Sequence, residues 1–144
     1  IGFVGYSGGE NSAGTDPAEA AKFAIETGVD AMAISVGNVH LQTDKDGRLD
    51  EPRICTIEAI TDIPLVIHGG SGVPISQRTA LARGSNVCKF NIGTELRMAF
   101  GAALRLSVNS NADRFDRVKI LKDTHDPLVA ATRRVLRAFM AKDI

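Results

Sequence analysis

A unit of about 30 residues recurs along this chain: a short apolar run, a glycine-rich or polar loop, an amphipathic stretch, then glycine or proline. The apolar runs fall at 1–6, 31–36, 65–68 and 87–92. Three of the four are apolar and β-branched at nearly every position, as parallel strands buried on both faces require. The helices between them carry start and stop signals. Asp16-Pro17-Ala18-Glu19 supplies an N-cap, a proline at the first helical position and a capping-box glutamate, and Gly28 stops that helix. Asp50-Glu51-Pro52 starts a second helix that runs to about Thr61, and Pro74 opens a third that Gly84 ends. The fourth begins near Thr94-Glu95 and sets Leu96, Ala99, Phe100, Ala103 and Leu104 on one face. Two tail helices are expected near 114–122 and 127–142, the second with a seam of Val129, Val135, Leu136 and Phe139. Alternating strands and helices mean an α/β fold with a parallel sheet. Four β/α units are too few to close a barrel, so the sequence predicts half of a (β/α)8 barrel or a small open sheet. It reads as a single domain over 1–144 with tail helices at about 113–142.

Composition narrows the function by exclusion. Lys and Arg number 17, the same as Asp and Glu, so there is no basic footprint for nucleic acid or a membrane surface. No apolar run approaches the roughly 18 residues that span a bilayer, and no signal peptide is visible. Cys55 and Cys88 are isolated, and buried free thiols suited to a reducing cytosol are the expectation. The chain opens without Met in what reads as the body of a strand, which suggests a truncated or processed product.

In parallel α/β folds the reactive groups gather at the C-terminal ends of the strands, and here the unusual residues fall there. The second run leads to Gly37-Asn38-Val39-His40, the third to His68-Gly69-Gly70-Ser71-Gly72, and the fourth to Asn91-Ile92-Gly93-Thr94. Neighbouring parallel strands lie about 4.8 Å apart. His40 and His68 can therefore reach one ion at bond lengths of about 2.0–2.1 Å; two separately hydrogen-bonded histidines are the alternative. Gly69-Gly70-Ser71-Gly72 can form an anion-binding nest with the Ser71 hydroxyl as a further donor, or simply a tight turn. Asn91-Ile92-Gly93-Thr94 offers amides at a helix N-terminus, where the dipole favours phosphate. Phosphate loops on two successive strands suit strands seven and eight of a barrel, which would make the first strand here the fifth. Lys89 reads as lying inside a strand, so a Schiff-base mechanism gains little support. His125 reads as a solvated residue in a polar turn.

Three strings, Asp30 to His40, Pro64 to Pro74 and Lys89 to Arg97, resemble class II fructose- and tagatose-bisphosphate aldolases in order and spacing. The resemblance implies the C-terminal half of a TIM barrel, strands five to eight. It also implies zinc or another divalent metal, a sugar-phosphate substrate, a cytoplasmic setting and a homo-oligomer (dimer or tetramer) of the full-length protein. The implied reaction is reversible cleavage of a ketose 1,6-bisphosphate to dihydroxyacetone phosphate and an aldehyde, glyceraldehyde 3-phosphate being expected. Carried over by motif, His40 and His68 correspond to metal ligands, and Gly69, Gly70, Ser71, Asn91, Ile92, Gly93 and Thr94 to the phosphate-binding segments. Gly8-Gly9-Glu10 is similar to the family's acidic loop, making Glu10 the candidate catalytic side chain. The family's Asp-His pair has no counterpart, so the isolated chain is expected to be inactive. Leu41 stands where a glycine commonly follows the histidine, and Gly93 where many fructose-specific members are acidic. A sugar-phosphate-binding half-barrel without catalysis is the alternative.

Overall fold

The computed structural model describes residues 1–6 and 13–140. Three parallel strands, β1 (Met32–Ile34), β2 (Leu65–Ile67) and β3 (Val87–Phe90), form one sheet in the order β1-β2-β3. Helices α1 (Pro17–Thr27), α2 (Glu51–Glu58), α3 (Ile75–Gly84) and α4 (Thr94–Ser110) alternate with them, and α5 (Arg117–Lys122) and α6 (His125–Phe139) follow. The result is an open, partial (β/α) barrel with C-terminal helices.

The strands' alternation decides what each side of the sheet does. Met32, Ile34, Leu65, Ile67 and Val87 join Ala20, Ile54, Ile57 and Leu81 in one core against the helices. Each such fully buried Ile or Leu is worth about 1.5–3 kcal/mol. The ladder aligns Ala33 with Val66 and Val66 with Lys89 on the other side. A register irregularity between Leu65 and Val66 leaves Cys88 as an extra residue in β3.

Helix ends follow the chemistry of their caps. The Asp16 carboxylate accepts the Glu19 amide at 3.0 Å, and Gly28, at φ 61°, closes α1. Asp50 caps α2 in the same way, accepting from the Arg53 amide at 3.0 Å. The expected face of α4 turns inward at Ala103 and Ser107. Its partner α6 starts two residues before the expected Pro127, at His125, while α5 begins only at Arg117 because Asp116 caps it. Phe139 of α6 stacks on Phe90 of β3 with centroids 5.1 Å apart. The Thr79 hydroxyl donates to the Ala138 carbonyl at 2.6 Å, fastening α6 to α3.

Two expectations require correction. Segment 1–6 is not a strand; it makes one parallel bridge, Tyr6 to His40. Gly2 takes φ 83°, which breaks the pleat, and side chains replace a backbone ladder. Thr15 Oγ1 donates to the Ile1 carbonyl and Ser35 Oγ to the Phe3 carbonyl, both at 2.7 Å. The cysteines are free but exposed, not buried. Cys55 lies on the outer side of α2, next to the inward-facing Ile54, and Cys88 sits in the end strand of the sheet. No described helix is long and apolar enough to cross a membrane.

Candidate active site at the strand ends

His68 follows β2 directly, and Gly69 then turns the chain in the left-handed region at φ 65°, ψ 22°. A Cβ on Gly69 would stand 2.3 Å from the Val39 carbonyl oxygen and 2.7 Å from its carbon. The loop after β2 thus lies directly on the backbone of the residue before His40. Asn38, 2% exposed, locks the same junction. Its Oδ1 accepts from the Val36 amide at 2.7 Å, while its Nδ2 donates to the carbonyls of Ile34 (3.2 Å) and His68 (3.0 Å).

These contacts bring the two imidazoles together, with centroids 5.8 Å apart and planes 85° to one another. The His40 amide donates to the Gly5 carbonyl at 2.8 Å, and its ring lies 5.4 Å from that of Tyr6. The Asn91 amide nitrogen stands 3.1 and 3.2 Å from the two ring nitrogens of His68, so it can donate to whichever carries the lone pair. Burial holds the His68 imidazole below its ordinary value, helped by the nearby charges of His40 and Lys89. A neutral ring is the form that ligates a metal. The separation leaves room for one ion at bond lengths of about 2.0–2.1 Å. Two imidazoles fit a divalent ion as part of its shell. Among the described residues, no further His, Cys, Asp or Glu completes a group of three.

The loops after β2 and β3 are stitched to each other. The Gly70 amide donates to the Asn91 carbonyl at 3.1 Å, and the Asn91 amide to the Ile67 carbonyl at 2.8 Å. Residues Gly70–Gly72 form a 3-10 turn that presents Ser71 to the head of α4. Gly93 has no side chain to cap that helix, and Ser71 Oγ takes over by accepting the Glu95 amide at 3.1 Å. Among the described residues no acceptor takes the Ser71 hydroxyl proton, which leaves it available to a ligand. So are the amides of Gly93 and Thr94, which have no backbone acceptor among the described residues. A cavity of about 550 Å³ opens here, lined by Tyr6, His40, Leu41, Gly69, Ser71, Phe90, 91–94 and Arg97. Of the other residues weighed from sequence, Glu10, with Gly8 and Gly9, is outside the described residues, and His125 is exposed at the start of α6, beside Asp126.

Several residues of the site were not singled out from sequence. Asn38 was visible only as part of a string, although a buried amide beside a strand-end histidine is a natural clamp. Arg97 puts a guanidinium in the cavity wall, its Nη2 2.8 Å from where a Gly93 Cβ would stand. Lys45, Arg78 and Glu95 form an ion-pair cluster behind the loops; their distance in sequence hid it.

At the strand ends of an open β/α sheet, two histidine rings thus stand beside two loops joined by backbone hydrogen bonds. The sequence matches the family described as fructose-bisphosphate aldolase class-II over residues 1–143. The chain belongs to that family, which implies a divalent metal cofactor. Among solved structures it is similar to the YdjI aldolase from Escherichia coli K12, at 28% identity and a TM-score of 0.64, covering 87% of this chain and 44% of that one. It also shares its fold with the fructose-bisphosphate aldolase (Fba) of Campylobacter jejuni, at 20% identity and a TM-score of 0.71, covering 88% and 44%. The chain thus spans less than half the length of these relatives.

Proposed function

We propose that this chain forms part of a metal-dependent aldolase that cleaves and condenses a ketose 1,6-bisphosphate through dihydroxyacetone phosphate. The observation that carries this reading is the pair of rings 5.8 Å apart, beside a cavity whose wall offers the Ser71 hydroxyl and the head of α4. His40 and His68 would hold a zinc or other divalent ion, the metal taking the His68 lone pair to which the Asn91 amide nitrogen can otherwise donate. When bound, such an ion supplies Lewis acidity to a carbonyl and its adjacent hydroxyl. Ser71 and the Gly93 and Thr94 amides would hold the phosphate, favoured by the N-terminal end of the α4 dipole. Glu10 is proposed as a proton-transfer residue by its place in the motif.

The test is carried out on the full-length protein that contains this chain. Zinc content and release of dihydroxyacetone phosphate from fructose and tagatose bisphosphates are measured for wild type, His40→Ala and His68→Ala. Both variants should stay folded, lose metal and lose cleavage by about a hundredfold or more, as for removal of groups that stabilise developing charge. Cleavage that survives chelation, or survives both substitutions, sinks the reading. That no third His, Cys, Asp or Glu joins the pair among the described residues favours one competing account, a sugar-phosphate-binding module without catalysis. Phosphate-ester binding with no cleavage in the metal-loaded, full-length protein would select it.

A further inference from the structure

Arg78, within α3, has 1% of its side chain exposed. Its Nη1 lies 3.3 Å from Glu95 Oε2, yet Nε and Nη2 find no acceptor among the described residues. The Phe139 ring centroid stands 6.0 Å from its Cζ, at the outer reach of a cation–π contact. A buried guanidinium with two donors unmet among the described residues costs stability, and because Lys45 stays on Glu95, replacing Arg78 by an apolar side chain of similar volume leaves no unpaired charge behind. Stability therefore gives no reason for a cation here.

Geometry gives one, because Arg78 holds Glu95 and Glu95 is shared by three segments. Its Oε2 also receives Lys45 Nζ at 2.7 Å, from the loop after β1. Its backbone amide donates to Ser71 Oγ at 3.1 Å, in the turn after β2. It belongs itself to the first turn of α4, after β3. We propose that Arg78 is a positioning residue. By anchoring Glu95 it keeps the first turn of α4 seated on Ser71 and holds the two anion-binding loops in register. The functional consequence rests on the phosphate reading above; the anchoring does not.

Arg78→Met, compared with wild type and Arg78→Lys in the whole chain, tests it through residue-resolved amide exchange, thermal unfolding and titration with inorganic phosphate. The expected result is an unfolding temperature equal to or above wild type, with the Glu95 amide exchanging about tenfold faster through local opening. Arg78→Lys, which keeps the charge, should recover part of that protection. Phosphate affinity should weaken in the same order. Unchanged exchange at Glu95 overturns the proposal. So does a loss of protection throughout the chain in step with a fall in unfolding temperature, which would make Arg78 a core residue only. If Glu95 loosens as expected but even wild type ignores phosphate, the positioning role stands and the phosphate reading falls.

Discussion

After β2 the chain turns through Gly69, where a Cβ would fall 2.3 Å from the Val39 carbonyl oxygen, and backbone amides and carbonyls join this turn and the end of β2 to the loop after β3. After β1 the 37–50 segment holds its shape differently. Asn38 bonds three backbone groups, and the Gln42 side chain fills the space where a Cβ on Gly47 or Gly72 would sit, 2.2 and 2.0 Å from its Oε1. Lys45 reaches across to Glu95. His68 thus stands on a backbone-built platform and His40 on one held by side chains. A backbone-built loop has no softer alternative when something is added to it, whereas a side-chain-held loop can lose one contact and keep its course. Substitutions on the His68 side should therefore cost more.

Gly69→Ala is the sharpest way to break that contrast. The new methyl would meet the Val39 carbonyl at a distance no real contact tolerates, on a residue with φ 65°. Strain and forced backbone movement together should cost about 3–5 kcal/mol, read from the midpoint of urea unfolding. Both histidines border this contact, so metal uptake should fall as well. A cost below about 1 kcal/mol would mean that the two loops are free to part.

Asn38→Ala comes next and tests the side-chain-held half. It strands the Val36 amide and removes one donor from each of the Ile34 and His68 carbonyls, in a place 2% exposed. The expected loss is about 2–3 kcal/mol. If it equals that of Gly69→Ala, the distinction between the two loops collapses.

These residues also show where sequence reasoning reaches and where it stops. The parallel sheet was legible because Leu65, Val66 and Ile67 are apolar without alternation, and the caps of α1 and α2 because Asp16 and Asp50 precede prolines within two residues. The place of His68 directly after β2 followed from the repeat, whereas His40 lies six residues past the end of β1. What periodicity could not carry was the fate of segment 1–6, where a left-handed Gly2 and the hydroxyls of Thr15 and Ser35 replace a ladder. Nor could it reveal the Arg78–Glu95–Lys45 cluster, whose members belong to three separate units. Pairings between side chains of different units leave no periodic trace.

A smaller effect concerns the far end of the loop after β1. The Asp50 carboxyl lies below its ordinary 3.8, first through the Arg53 amide and then through the Arg53 guanidinium. A carboxylate with a lowered folded pKa contributes stability that is present above its unfolded pKa and is lost as pH falls through the folded one. Wild type should therefore lose stability relative to Asp50→Asn as pH drops from neutral to below 3.8. Asparagine still caps the helix and the carboxyl is largely exposed, so the difference at neutral pH should be less than about 1 kcal/mol. A parallel pH dependence in the two proteins would show that the Asp50 charge adds nothing to the cap.

Leu41→Gly should give the smallest change, and a gain. Among the described residues Leu41 is the one non-glycine with positive φ, at 59°, and its side chain is 51% exposed. A left-handed leucine costs about 1–2 kcal/mol, and glycine gives back about 0.5–1 kcal/mol of that through the freedom it gains in the unfolded chain. The net gain is up to about 1 kcal/mol, visible as a rise of roughly 2–4 °C in unfolding temperature. Because Leu41 also lines the cavity, the sign is informative. A rise means that the His40 loop bears strain which its side-chain contacts hold in place. A fall means that the leucine's packing on the cavity wall outweighs its backbone strain, and that this loop depends on side chains even at the residue next to the histidine.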